Sequence, residues 1–149
     1  MSSCQNESIG RQMYRTSLLL RNYAEKILSP YGLTVEQFHL LKSATMTSGQ
    51  SQRQLCQDLE KKPANITRIL DRLEKKEWIE RRPNPTDRRS STIYITDEGR
   101  RIITEVSSLF ETYSGRFLMG IGCEEERVFR LVLEIIDKNI KALTDEIER

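Results

Sequence analysis

The side chains best equipped for chemistry in this chain are basic, and they cluster. Arg81 and Arg82 precede a turn, Pro83–Ser90, that holds Asp87, Arg88 and Arg89. Just upstream lie Arg53, Lys61, Arg68, Arg72 and Lys75. Fixed cations gathered this way attract a polyanion; they do not by themselves make or break bonds. The sets that catalysis or metal binding would require are missing. The cysteines are Cys4, Cys56 and Cys123, widely spaced, and the only histidine is His39. A structural zinc site takes about four Cys/His ligands and would have to use all of them. No metal, cofactor or disulfide framework is therefore expected. No P-loop and no Ser/His/Asp arrangement is present, so the chain is not expected to be an enzyme. The Glu124–Glu126 run reads as a favourable helix start, and His39, beside Phe38, as a surface or interface residue.

The net charge of +2 conceals an asymmetry. Residues 1–52 carry +2, residues 53–101 carry +4 and residues 102–149 carry −4. A polyanion partner belongs on the middle third. Hydrophobic residues make up 37% and charged residues 31% of 149 residues, which suits one domain with helical extensions. Met1–Gly10 is polar and lacks the apolar stretch of a signal peptide. No apolar run approaches the ~20 residues of a membrane span, so the expected location is cytoplasmic, away from membranes.

The elements that must position the cations follow from periodicity. Apolar residues recur at helical spacing over Glu7–Leu28, and Pro30 and Gly32 end that helix. Thr34-Val-Glu-Gln37 and Ser51-Gln-Arg-Gln54 both read as capping boxes, with Leu33 and Phe38 placed as a hydrophobic staple for the first. The two helices run to about Thr47 and to about Leu59. Pro63 suits the first turn of a helix to Lys76. Ile66, Ile69, Leu70 and Leu73 form its apolar stripe, and Ala64, Arg68, Asp71 and Lys75 its opposite face. Such a face is either an ordinary solvated one or a reader of the major groove. Ile79 and then Ile93 and Ile95 alternate with polar residues, predicting a two-stranded hairpin. Thr96-Asp-Glu-Gly99 caps a long helix to about Leu118, and Glu124–Glu126 open a last helix. That helix carries a broad stripe (Val128, Leu131, Val132, Ile135, Ile136, Ile140, Leu143) in need of a partner.

The stretch Asn65-Ile-Thr-Arg-Ile-Leu-Asp-Arg-Leu-Glu-Lys-Lys76, followed by Ile79-Glu-Arg-Arg82, Pro85-Thr-Asp-Arg-Arg89 and Tyr94-Ile-Thr-Asp-Glu-Gly99, resembles the signature of the MarR family, the multiple antibiotic resistance regulators. The resemblance covers essentially the whole chain and is clearest over Ser51–Gly99. It implies a mainly α fold with a minor β-hairpin: a winged helix-turn-helix lobe over residues 34–99, and dimerisation helices over residues 7–28 and 100–149 of a single 1–149 chain. It implies a homodimeric, sequence-specific regulator of transcription, a repressor released by an effector. Its partner is double-stranded DNA with a pseudo-palindromic operator. The recognition helix would enter the major groove and the wing an adjacent minor groove. Carried over residue by residue, Ala64, Asn65, Thr67 and Arg68 face bases or phosphates. Arg89 is the minor-groove arginine, Asp87 its orienting acid, and Arg82 and Arg88 phosphate contacts. Ser51, Gln52 and Arg53 would meet phosphates at a helix N-terminus. Glu77-Trp78 departs from the glycine that the family places near position 77, which leaves the helix–strand junction open.

The resemblance also implies a pocket for a small phenolic or lipophilic effector between the first, second and fifth helices. Met13, Tyr14, Phe38, Met46 and Phe110 could line it and are equally good core residues. Two other classes stay open. A redox switch on the same frame would use Cys123, at the start of a helix whose N-terminus favours a thiolate, or Cys4. A helical protein-interaction module would use the hairpin and the last helix.

Overall fold

The computed structural model describes residues 8–87 and 89–148. Two compact units are present, one reaching to Phe110 and the other beginning at Glu111. Helix α1, Ile9–Leu28, starts where the Ser8 hydroxyl accepts the Arg11 N–H. A 3₁₀ turn, Ser29–Tyr31, closes it, with Gly32 in the left-handed region. Helix α2 spans Val35–Met46 and begins with the capping box read from sequence: Thr34 Oγ1 accepts the Gln37 N–H, and Gln37 Oε1 accepts the Thr34 N–H. Helix α3, Gln52–Asp58, begins with the second box, on Ser51 and Gln54. Helix α4 spans Pro63–Lys75, and Lys62 gives it no side-chain cap.

The sheet has one strand more than the expected hairpin. Gln50–Ser51 forms a short strand β1, which joins β2 (Ile79–Pro83) and β3 (Ser91–Ile95) in an antiparallel sheet of order β1–β3–β2. Gln50 pairs with Ile93 and Ser51 with Thr92, while β2 and β3 pair from Ile79↔Ile95 to Pro83↔Ser91. A two-residue strand is too short for alternation to reveal it. Helix α5, Asp97–Phe117, follows, and helix α6, Cys123–Ile147, closes the chain.

The core of the first unit gathers Leu28, Leu40, Leu41, Leu55, Ile66, Leu70, Leu73, Ile93 and Val106, all fully buried. The predicted stripe of α4 and the inward residues of the strands supply much of it. Gln50, itself buried, ties three elements together: its Oε1 accepts Ser43 Oγ at 3.2 Å, and its Nε2 donates to Asp58 Oδ2 at 2.6 Å. Helix α1 contributes only Leu28 to the buried set. Ile9, Leu19 and Leu20 of its apolar stripe stay exposed. In the second unit α6 buries no residue, and Phe129, Ile135, Ile140 and Leu143 are more than half exposed. Among the described residues, no helix is long and apolar enough to cross a membrane.

Candidate nucleic-acid interface

The helix-turn-helix is built by two chain reversals without glycine. After α3, the Glu60 N–H bonds Gln57 O and the Lys61 N–H bonds Cys56 O, with Glu60 at φ 50°. After α4, the Glu77 N–H bonds Glu74 O and the Trp78 N–H bonds Leu73 O, with Glu77 at φ 59°. Both are Schellman closures in which glutamate occupies the left-handed position that glycine usually takes. The junction left open by Glu77-Trp78 therefore keeps the ordinary geometry. Lys76 secures it: its Nζ donates to Gly32 O and lies 4.4 Å from the Trp78 ring centroid. Burial holds the Lys76 ammonium below its ordinary pKa.

Helix α4 presents one exposed face. Ala64, Asn65, Thr67, Arg68, Asp71, Arg72 and Lys75 all lie on it, opposite buried Ile66, Leu70 and Leu73. Not all are equally available. The Thr67 hydroxyl donates to Pro63 O at 3.0 Å and accepts from Gln52 Nε2 at 2.7 Å. The pair thus fastens the first turn of α4 to the first turn of α3. Thr67 and Gln52 are partly spent on the frame, whereas the side chains of Asn65 and Arg68 project outward.

The wing is a structured turn. Asn84 closes it against Ser90, backbone N–H to carbonyl at 3.1 Å and Nδ2 to Oγ at 3.1 Å. Asp87 Oδ1 accepts the Arg89 backbone N–H at 3.0 Å. The acid thereby shapes the backbone that presents Arg89, and Arg89 itself is exposed. Arg88 lies outside the described residues. Arg81 and Arg82, adjacent in sequence, part ways in space. Arg82 pairs with Glu80 and stacks 4.3 Å from the Tyr94 ring centroid on the exposed side. Arg81 turns to α4 and bridges Glu74 and Asp71 at 2.6 and 2.7 Å. Strand alternation separates them, placing Arg81 on the face of buried Ile79 and Arg82 on the opposite face; the carboxylates that Arg81 meets on α4 are set by how β2 packs against that helix.

The start of α3, the start of α4 and the wing enclose a cleft of about 550 Å³ lined by Ser51, Gln52, Arg53, Cys56, Pro63, Asn84, Asp87, Arg89, Ser90 and Ser91. Five side chains picked out from sequence meet there: Ser51, Gln52, Arg53, Asp87 and Arg89. Asn84, Ser90 and Ser91 were not singled out, although the turn composition marked the segment. The cleft carries Arg53 and Arg89, the α3 N-terminus and small hydroxyls, the groups that hold phosphate oxygens.

The remaining candidates are dispersed. Phe38 is buried and meets Phe110 with ring centroids 4.8 Å apart. Met13 is half-buried, while Tyr14 and Met46 are 66% and 80% exposed. His39 is a surface residue, edge-on to Phe38 at 5.6 Å. Burial, and then Lys42, push its pKa below the ordinary value. Cys123 is exposed in the first turn of α6. Cys4 lies outside the described residues. Among those described, no group of three His, Cys, Asp or Glu is placed to hold a metal ion.

Comparison with known proteins completes the picture. The model of the MarR family matches residues 33–91. The chain is 30% identical over 129 residues to the HTH-type transcriptional regulator PecS of Dickeya dadantii (strain 3937), covering 85% of this chain and 78% of that protein. It is similar to a cysteine-to-serine mutant of MarR from E. coli complexed with operator DNA, with 26% identity, a TM-score of 0.81 and coverage of 86% and 92% of the two chains. It is also similar to CouR from Rhodococcus jostii RHA1 bound to p-coumaroyl-CoA, with 28% identity, a TM-score of 0.79 and coverage of 91% and 95%.

Proposed function

This chain belongs to the MarR family of transcriptional regulators, and we propose that it acts in the cytoplasm as a homodimeric repressor of transcription, bound to double-stranded DNA and released by a small-molecule effector. The carrying observation is the cleft in which Arg53 and the α3 N-terminus face Arg89 and its Asp87-shaped turn. Residues 34–99 form the DNA-binding lobe. Residues 7–28 and 100–149 form the dimerisation region, in keeping with the exposed apolar stripes of α1 and α6. Helix α4 enters the major groove through Ala64, Asn65 and Arg68, with Thr67 and Gln52 holding its first turn. Arg89 enters the minor groove, where narrow A·T-rich DNA concentrates negative potential. Ser51, Arg53, Arg82 and Arg88 meet phosphates. Two-fold symmetry calls for a pseudo-palindromic operator.

The effector is a small phenolic or lipophilic compound. The pair of buried Phe38 and partly buried Phe110 is the part of its expected lining that the fold brings together. It releases DNA only by the difference between its affinities for the two dimer geometries. Fluorescence anisotropy with the promoter next to its own gene tests the central claim. The logarithm of the affinity should fall linearly with the logarithm of salt concentration, with a slope of about −0.9 per phosphate contacted. The promoter should be preferred over random duplex, and Arg89→Ala should weaken binding while leaving the dimer intact. Equal binding to both duplexes, or none, would overturn it.

A further inference from the structure

We infer that Arg81 is the positioning residue that aims the wing, and that it acts on DNA only through Arg89. The inference rests on the DNA-binding role just proposed. In the order β1–β3–β2, strand β2 is an edge, and the wing beyond it is held at its root from two sides. On one side β3 pairs with the two residues of β1. On the other, β2 lies along α4, and Arg81 makes the polar connection. Its Nη1 donates to Glu74 Oε2 at 2.6 Å and its Nη2 to Asp71 Oδ1 at 2.7 Å. Its backbone N–H goes to Glu74 Oε1 at 3.3 Å. The planar fork thus grips two carboxylates one helical turn apart, which a point-like ammonium cannot do in the same way. The Arg81 side chain is 23% exposed, against 58% for Asp71 and 41% for Glu74, so the guanidinium is the shielded member of the cluster.

From that anchor to the wing tip the connection is continuous. Arg81 pairs with Ile93, Arg82 with Thr92 and Pro83 with Ser91. Asn84 then holds Ser90, and Asp87 holds the Arg89 backbone. A small rotation at the root becomes a displacement at Arg89. Helix α4 and the wing must reach neighbouring grooves together, so the angle between them sets whether Arg89 arrives when α4 is seated. A cation paired with two carboxylates of α4, and turned to the protein, thereby belongs to the binding apparatus without touching DNA.

A double-mutant cycle tests this on the full-length protein with its promoter duplex. Arg81→Ala should fold, dimerise and bind about tenfold more weakly, with a shallower salt slope because the wing contact is lost. In that background Arg89→Ala should cost less than half, on a logarithmic scale, of what it costs in wild type. Additive effects of the two substitutions would overturn the inference and leave DNA binding by the wing standing. So would recovery of affinity on adding Asp71→Asn and Glu74→Gln to Arg81→Ala, since Arg81 would then only mask two charges from the phosphates. If Arg81→Ala does not fold, Arg81→Lys, which keeps the charge and loses the fork, goes through the same cycle and is read by the same criteria. An Arg89→Ala effect absent in wild type would sink both the inference and the wing assignment on which it rests.

Discussion

At the scale of single residues, the junction where α4 hands over to β2 and β3 hands over to α5 explains two of the less ordinary positions. The Thr96 backbone N–H bonds Trp78 O at 3.0 Å, its hydroxyl donates to Glu77 O at 2.7 Å, and the same hydroxyl oxygen accepts the Gly99 N–H. A Cβ on Gly99 would stand 2.1 Å from Trp78 O, a backbone atom that cannot swing aside. Gly99→Ala should therefore cost about 2–3 kcal/mol, the range of overpacking against a rigid neighbour, read as a lower denaturant midpoint at unchanged slope. Glu77 runs the other way. It holds φ 59° with a side chain that disfavours it, so Glu77→Gly should gain about 0.5–1 kcal/mol, the left-handed penalty less the entropy of freeing the unfolded chain. A loss of stability there would mean that the Glu77 side chain does something beyond ending the helix. His39 adds a pH dependence. Its folded-state pKa is lowered, first by burial and then by Lys42 and Lys61, with Glu36 opposing. The unfolded chain therefore binds the extra proton first. The contribution is complete above the ordinary value of 6.5 and is lost as pH falls through that value toward the folded one. Wild type should lose more stability than His39→Gln between pH 7.5 and 5.5; equal losses would remove His39 from the acid sensitivity.

At the scale of elements, what could be read from the sequence was local, and what escaped was register. Both capping boxes, the proline at the start of α4 and the Thr96 cap are satisfied within a few residues of themselves, and the Ile66–Leu70–Leu73 stripe is written in local spacing, so composition and spacing suffice. Strand β1 and the α4 partners of Arg81 depend on how distant segments align, which short segments do not encode. The two boxes also offer a comparison. Thr34 and Ser51 do the same local job, and alanine at either should cost about 1 kcal/mol. Thr34 stands at the head of α2, whereas Ser51 lines the cleft beside Arg53 and Arg89. At matched stability only Ser51→Ala should weaken DNA binding. A matching loss in Thr34→Ala would show that the cap matters to DNA through stability alone. Lys62 marks a third helix start, where no side chain caps α4. Lys62→Ser should supply the missing acceptor and raise the unfolding free energy by about 0.5–1 kcal/mol, read as a higher denaturant midpoint at unchanged slope.

At the scale of the whole molecule, the unsatisfied feature is hydrophobic. Val128, Leu131, Val132, Ile135, Ile140 and Leu143 recur at helical spacing along α6, each between 44% and 59% exposed. Fully burying such a side chain is worth about 1.5–3 kcal/mol, so a helix built this way gains several such increments by meeting a second copy of the chain. The charge distribution fits the proposed division of labour: the basic third, residues 53–101, falls within the lobe proposed to meet DNA, and the segment from residue 102 onward carries −4. The proposed pairing through α6 would have a consequence for DNA that the lobe alone does not supply. Two half-sites bound by one dimer share an effective concentration, typically worth 10²–10⁴-fold in affinity, and only if the half-sites present their grooves at the right rotation. Leu131→Glu with Ile135→Glu should therefore yield a monomer by sedimentation, with far-UV circular dichroism showing the helices retained, and should lower operator affinity by about 10²-fold or more. Inserting five base pairs between the half-sites turns one groove away by about half a helical turn. That insertion should weaken wild type by a similar factor and leave the monomeric variant unmoved. A double variant that stays dimeric would take α6 out of the interface. A wild type indifferent to the insertion would mean that each lobe binds alone, and the apolar stripe would then serve something other than the reading of a symmetric operator.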